Sequence, residues 1–344
     1  MAFVLLCAGC ASKPTAPAVL EDGKSMWRRV ETEHFVTESN LQSDASLLRV
    51  ASEFETLWYA FASVPVLGLR PPTGKPIVVV LRDTSEYRYV AGDKSAGAFV
   101  EDTPLGPLIL LPPHGGAFRE TVVKHELAHY VGSPSLNDAP RWLNEGLAQV
   151  METADYDTDD GQILFGSHSP ALVQNAALTM PGYVFMGTWP ADPGSRELRA
   201  CYGRSWLLVH YLIDNDLQNF LDFIVRVRSG ETWQDAWEKE IVLRRDEIDA
   251  TLNRYYGRGK YGLWTVRAHV PDMNELQPTS VPPADALALR SVLHASSWNP
   301  EREQAQNLQA ADEDLRAARD LDPQSARVRL ISAALASAQE SAAK

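Results

Sequence analysis

Apolar and polar residues alternate through MWRRVETEHFVT, residues 26–37, and that period of two predicts a strand. From Asp44 to Ala62 the period changes: Leu47, Val50, Phe54, Leu57, Trp58 and Phe61 fall three or four apart, which predicts a long amphipathic helix. The run Ile77 to Leu81 is apolar throughout, bounded by Pro76 and by an Arg82-Asp83-Thr84-Ser85 turn, and predicts a buried strand. Shorter runs predict strands at Ala98 to Val100 and Leu108 to Leu111. Pro112-Pro113-His114-Gly115-Gly116 breaks the pattern, and helical periodicity dominates from Ala117 to about Tyr256. The fold class expected is α+β, with a small N-terminal sheet over a mainly helical body.

A proline-containing stretch, residues 271–283, separates that body from a third region. There Ala311, Leu315, Ala318 and Pro323 match the spacing of the second helix of a tetratricopeptide repeat, although the first-helix signature is missing upstream. An ordinary Ala-rich helical pair fits the same residues. The expected organisation is a leader and tether over 1–23, a sheet-rich unit over 24–116, a helical unit over 117–262, a linker over 263–283 and a C-terminal helical, TPR-like module over 284–344.

With 344 residues, 45% of them hydrophobic, the chain has enough apolar material for a sizeable core. The formal net charge of -13 would repel a polyanion, which argues against nucleic acid and anionic lipid as primary partners. Of three cysteines, Cys7 and Cys10 lie in the first ten residues, so Cys201 alone is left for the body and no disulfide framework can form within it. A lone Cys of this kind reads as a small buried apolar residue rather than a nucleophile.

The opening MAFVLLCAGC is an apolar run too short to span a bilayer, and an Ala/Pro/Ser/Thr-rich stretch follows it. Leu6-Cys7-Ala8-Gly9-Cys10 resembles a bacterial lipobox, with Cys7 where such boxes usually carry Leu and no Lys or Arg ahead of the run. The resemblance implies lipid on Cys10, a flexible tether from Ala11 to about Gly23, and attachment to a bacterial envelope membrane facing the periplasm.

The chemistry concentrates in His125-Glu126-Leu127-Ala128-His129, an HExxH motif. Residues four apart on a helix lie one above the other, so both imidazoles can reach one ion. Val122, Val123, Leu127 and Val131 supply the apolar face of that helix, and Gly132 with Pro134 predicts its end. After a connection over 132–137, Asp138 is placed to cap a second helix that Pro140 enters in its first turn, carrying Arg141-Trp142-Leu143-Asn144-Glu145-Gly146-Leu147-Ala148. Glu145 is thereby brought back toward the histidines. A catalytic zinc takes three protein ligands and keeps one position open, and two His with one Glu is one of the standard sets.

HELAHYV followed by WLNEGLA resembles the gluzincin metallopeptidases, among them the aminopeptidase N-like enzymes and, more closely, a group of bacterial peptidase-like lipoproteins with a shorter gap between the motifs. WRRVETEHF, the IVVVL strand and YGRSWLLVHYL extend the similarity over residues 27–256. The resemblance implies one zinc held by His125, His129 and Glu145, Glu126 as general base, and a peptide or protein substrate. It also implies a downstream tyrosine that donates to the oxyanion, and Tyr202 is the best match by order and spacing. His210 and His168 are weaker alternatives for that role, each also read as a packed structural histidine.

Aminopeptidase N-like enzymes carry a Gly-Ala-Met-Glu-Asn segment whose Glu grips the substrate's amine. Here Gly97-Ala98-Phe99-Val100-Glu101 shifts the acid by one residue, which turns it to the opposite face of a strand. An endopeptidase or oligopeptidase is therefore the activity expected, with this segment as an edge strand for substrate backbone. The alternative is a non-enzymatic envelope lipoprotein that keeps the fold and binds a protein partner through its C-terminal helices.

Overall fold

The two apolar runs lie side by side at the centre of the molecule. In chain order the strands are β1 (Leu20–Glu21), β2 (Lys24–Ser25), β3 (Arg28–Glu31), β4 (Val36–Ser39), β5 (Ile77–Val80), β6 (Ala98–Val100), β7 (Leu108–Leu111), β8 (Asp155–Asp157), β9 (Gln162–Phe165), β10 (Trp264–Arg267) and β11 (Thr279–Ser280). The helices are α1 (Asp44–Ala62), α2 (Thr84–Ala91), α3 (Ala117–Leu136), α4 (Arg141–Met151), α5 (Pro170–Ala176), α6 (Gly182–Phe185), α7 (Arg196–Asn215), α8 (Leu217–Arg228), α9 (Trp233–Glu240), α10 (Ile248–Arg258), α11 (Pro283–Ala295), α12 (Gln304–Leu321) and α13 (Ala326–Ala342). This computed structural model describes residues 16–21, 24–41, 43–64, 74–91, 98–100, 103–111, 113, 117–136, 139–157, 162–168, 170–192, 195–267, 272, 275–296 and 304–342, and they form a mixed α+β protein. Cys7, Cys10, Glu101 and Asp138 lie outside the described residues.

The main sheet has the order β11-β3-β4-β5-β7-β6, with β4, β5 and β7 parallel and β6 antiparallel at one edge. Parallel strands are covered on both faces, which is why β5 and β7 read as unbroken apolar runs. Val78, Val80, Ile109 and Leu111 point to one side and join Val50, Phe54, Val123 and Leu127 of α1 and α3. Ile77, Val79, Leu108 and Leu110 point to the other and join Leu287, Leu289 and Leu293 of α11, Leu315 of α12 and Ile331 of α13. The C-terminal helices thus form the second cover of the sheet. Arg327 of α13 adds a two-pronged pair to the fully buried Glu38 of β4, at 2.6 and 2.8 Å. Removing one partner of such a buried pair costs about 3–5 kcal/mol.

α1 occupies the expected residues because its cap is local: the Ser43 hydroxyl accepts from Ser46 N at the helix start. Other expectations need correction. Residues 26–37 form two strands, β3 and β4, because Thr32 N donates to Phe35 O and reverses the chain, while Glu55 of α1 accepts from His34 N. Arg82 to Ser85 is not a bare turn: Asp83 Oδ1 accepts from Glu86 N and starts α2 at Thr84. α3 continues through Gly132 and Pro134 to Leu136, where the buried Leu136 side chain and an Asn144 amide donating to Leu136 O hold the last turn. Pro140 stands at the N-cap of α4 rather than inside its first turn.

The helical middle also contains a small antiparallel sheet, β10-β9-β8. The stretch expected as a linker supplies β10 to this sheet and β11 to the main one. The expected tether is docked over its last part: Pro17 and Val19 are buried, Ala18 N donates to Glu86, and Trp27 Nε1 donates to Ala18 O. Among the described residues no helix is long and apolar enough to cross a membrane.

Candidate metal centre

α3 and α4 pack against each other, and α7 packs against α4. The approach to α7 is close enough that a Cβ on Gly146 would stand 2.7 Å from Ser205 O and from Val209 Cγ2. A Cβ on Gly203 would stand 2.3 Å from the α5 backbone at Asn175 and Ala176. These two glycines let α7 lie between α4 and α5, which brings Tyr202 to the flank of Glu145. Trp142, fully buried, roots the start of α4 against Phe223 and Trp237, with ring centroids 6.1 and 5.9 Å away.

His125, His129 and Glu145 converge. The two Nε2 atoms are 3.1 Å apart, and Glu145 Oε2 is 3.4 Å from that of His125 and 3.5 Å from that of His129. Three donors bound about 2.05 Å from a tetrahedral zinc stand about 3.3 Å from one another, so the triangle has the size of one face of such a site. Glu145 Oε2 is buried and has no hydrogen-bond partner. Two imidazole nitrogens that face each other can share only one proton, whereas one cation satisfies both and the orphaned oxygen as well. The residues fit a zinc ion.

His125 Nδ1 faces Glu152 Oε2 at 2.8 Å. With Nδ1–H donating to that carboxylate, the Nε2 lone pair is directed into the triangle, the usual arrangement behind a metal-bound histidine. Glu152 follows Glu145 by two helical turns, and that same-face spacing is the signal that could have found it. Glu152→Gln is expected to weaken zinc binding about 10- to 100-fold without abolishing it, measured by competition against a chromophoric chelator.

The charges around the triangle call for a cation. Burial opposes charge on His125, but Glu145 and Glu152 outweigh it and push the imidazole up to about 10. Burial also works against the charged Glu145 carboxylate, yet the two histidines hold it well below the usual carboxylate range. A proton on His125 therefore supplies part of the charge a dication would bring. Glu126 is pushed upward by burial, with His125 and His129 pulling against that shift, so its carboxyl is a stronger base than an exposed one.

Neither a family model nor a characterised protein sequence matches this chain. The functional reading rests on the residues themselves.

Tyr202 is half-buried, and its hydroxyl is pushed upward first by burial and then by the charge of Glu145, with a contribution from Glu126 and a counter-pull from Arg141. It thus stands within the electrostatic field of both glutamates. The Trp189 ring meets Tyr202 edge-on at 4.9 Å and lies 4.6 Å beneath the Arg141 guanidinium. Arg141 Nε is 3.6 Å from Glu145 Oε1, while Oε2 is the oxygen that meets the two histidines. Sequence reasoning did not single out Arg141 or Trp189; Arg141 lies one turn before Glu145 on α4, whereas Trp189 leaves no local signal.

The alternatives to Tyr202 are placed elsewhere. His210 is fully buried, with Nε2 donating to Gly166 O at 3.1 Å and Nδ1 2.9 Å from the Tyr255 hydroxyl. His168 packs edge-on against Tyr261 at 4.9 Å. Cys201 is fully buried against Met180, and burial pushes its thiol up against a weaker pull from Arg141, which disfavours the reactive thiolate.

Proposed function

We propose that the protein is a zinc-dependent metallopeptidase with a gluzincin-type body, in which His125, His129 and Glu145 hold the metal. The observation that carries this reading is the triangle of 3.1, 3.4 and 3.5 Å closed by an orphaned buried carboxylate oxygen. Zinc supplies Lewis acidity there, activating water and polarising the scissile carbonyl. Glu126, next to a ligand but outside the triangle, takes the proton from the attacking water and delivers it to the leaving amine. Tyr202 donates its hydroxyl hydrogen to the oxyanion, a contribution of about 3 kcal/mol for a well-placed donor. β6 stands at the edge of the main sheet among the described residues, and an extended substrate peptide would lie along it.

Lipid on Cys10 would hold this body close to a bacterial envelope membrane, since the chain is already docked from Pro17 onward. Peptides or proteins near that membrane are then the substrates, and the C-terminal helices form the TPR-like cover of the sheet. The test is metal content: purified protein should carry about one zinc per chain. A chelator should remove zinc and peptide hydrolysis together, and added zinc should restore both. Protein that stays metal-free at stoichiometric zinc would overturn the assignment.

A further inference from the structure

Among the described residues Arg141 is the cation paired with Glu145, and little of its donor capacity is used there. Its guanidinium has five N–H donors. Its neighbours are Glu145 Oε1 at 3.6 Å, longer than a hydrogen bond, and the Tyr202 hydroxyl. The side chain is 50% exposed, so the remaining donors face solvent at the border of the metal site.

That position is held in place. Trp189 is 8% exposed, its Nε1 donates to Phe185 O at 2.6 Å, and its ring carries the guanidinium at 4.6 Å. The same ring meets Tyr202 edge-on. One fixed indole therefore sets both the phenol proposed for the oxyanion and the arginine next to it. A structural ion pair would bring Arg141 into hydrogen-bonding contact with Glu145. Instead it stands off from the ligand, its face on an indole and its edge in water, the posture in which a guanidinium receives a carboxylate through two parallel bonds.

We propose that Arg141 is a specificity-determining residue that binds a carboxylate of the substrate next to the scissile bond. The carboxylate has two sources, the substrate's C-terminus or an Asp or Glu side chain flanking the cut. The inference rests on the metallopeptidase reading for the site's location, and binding can test it without turnover. The net charge of -13 repels acidic peptides overall, so any preference for an acidic probe would report a local cation rather than the overall field.

The experiment uses zinc-loaded Glu126→Gln protein, with and without a second change, Arg141→Gln or Arg141→Lys. Its probes are acetylated pentapeptides of one sequence: the free acid, the C-terminal amide, and amides carrying Glu or Gln at each internal position in turn. Dissociation constants come from calorimetry. With Arg141 intact, one acidic probe should bind about 10- to 100-fold tighter than its neutral twin, the size of a charge-assisted bidentate pair. That ratio should fall to near one in Arg141→Gln and recover in part in Arg141→Lys, which keeps the charge and loses the fork. Preference for the free acid identifies the C-terminus, and preference for an internal Glu identifies a side chain. Equal binding of acidic and neutral probes, no measurable binding of any acidic probe, or a ratio that survives Arg141→Gln overturns the inference. Hydrolysis of these peptides by protein with Glu126 intact, without any acidic preference, would leave the peptidase standing and remove the role of Arg141. Acidic preference without hydrolysis would do the reverse.

Discussion

Glu126→Gln is expected to retain one zinc per chain while peptide hydrolysis falls at least about 100-fold, the lower end of what a general base contributes. The expectation follows from position. Glu126 sits between the two histidines in sequence, but the atoms that converge belong to His125, His129 and Glu145. An amide of the same shape leaves that triangle intact. It removes a carboxylate that neither closes the triangle nor fixes a histidine, since Glu145 does the first and Glu152 the second. Burial makes the Glu126 carboxyl a stronger base than an exposed glutamate, whereas Gln has no useful basicity. The measurements are metal analysis and steady-state hydrolysis of a peptide library. A scaffold protein that merely keeps the metal would be indifferent to this change, so unaltered hydrolysis in the variant would rule out the mechanism even with zinc present.

Local signals made part of this molecule legible in its sequence. α1 spans the residues its period marks, and β6 and β7 occupy the runs that predict them, because alternation, helical spacing and caps are properties of neighbouring residues. The convergence of His125, His129 and Glu145 was legible for a related reason: four-residue spacing aligns His125 with His129, and a short connection returns Glu145 to them. What escaped depends on distant pairing. β9 finds one of its partners in β10 about a hundred residues later, and β11 reaches back to β3, so a stretch that looks like a linker by composition contributes a short strand to each sheet. α11 to α13 look like a separate module until the second apolar face of β5 and β7 is seen to need a cover. The docking of Pro17 to Val19 escaped because its partners, Glu86 of α2 and Trp27, lie outside that segment. Trp189 was hidden likewise, since Arg141 and Tyr202 meet only through the fold.

Removing any one ligand should abolish stoichiometric zinc binding. His125→Ala, His129→Ala and Glu145→Ala each delete a third of the protein donors, and the two that remain cannot enclose a tetrahedral ion. Zinc that binds only the native state raises stability by about 4 kcal/mol at a free concentration 1,000 times its dissociation constant. The unmodified protein should therefore melt several degrees higher with zinc, and the three variants should show no zinc-dependent shift. pH supplies an independent check whose sign follows from His125. Without metal its imidazole is raised from 6.5 to about 10, so its proton stabilises the metal-free fold fully below about pH 6.5 and is lost as stabilisation toward pH 10. Zinc must displace that proton, so its apparent affinity should climb about tenfold per pH unit between pH 7 and 9. The stabilisation by zinc at fixed total metal should grow with pH while that of the metal-free protein declines. Titration of zinc into the protein in buffers of different ionisation enthalpy should register about one proton released per ion bound. Stoichiometric zinc retained by any two of the three variants would show that the triangle is not the metal site.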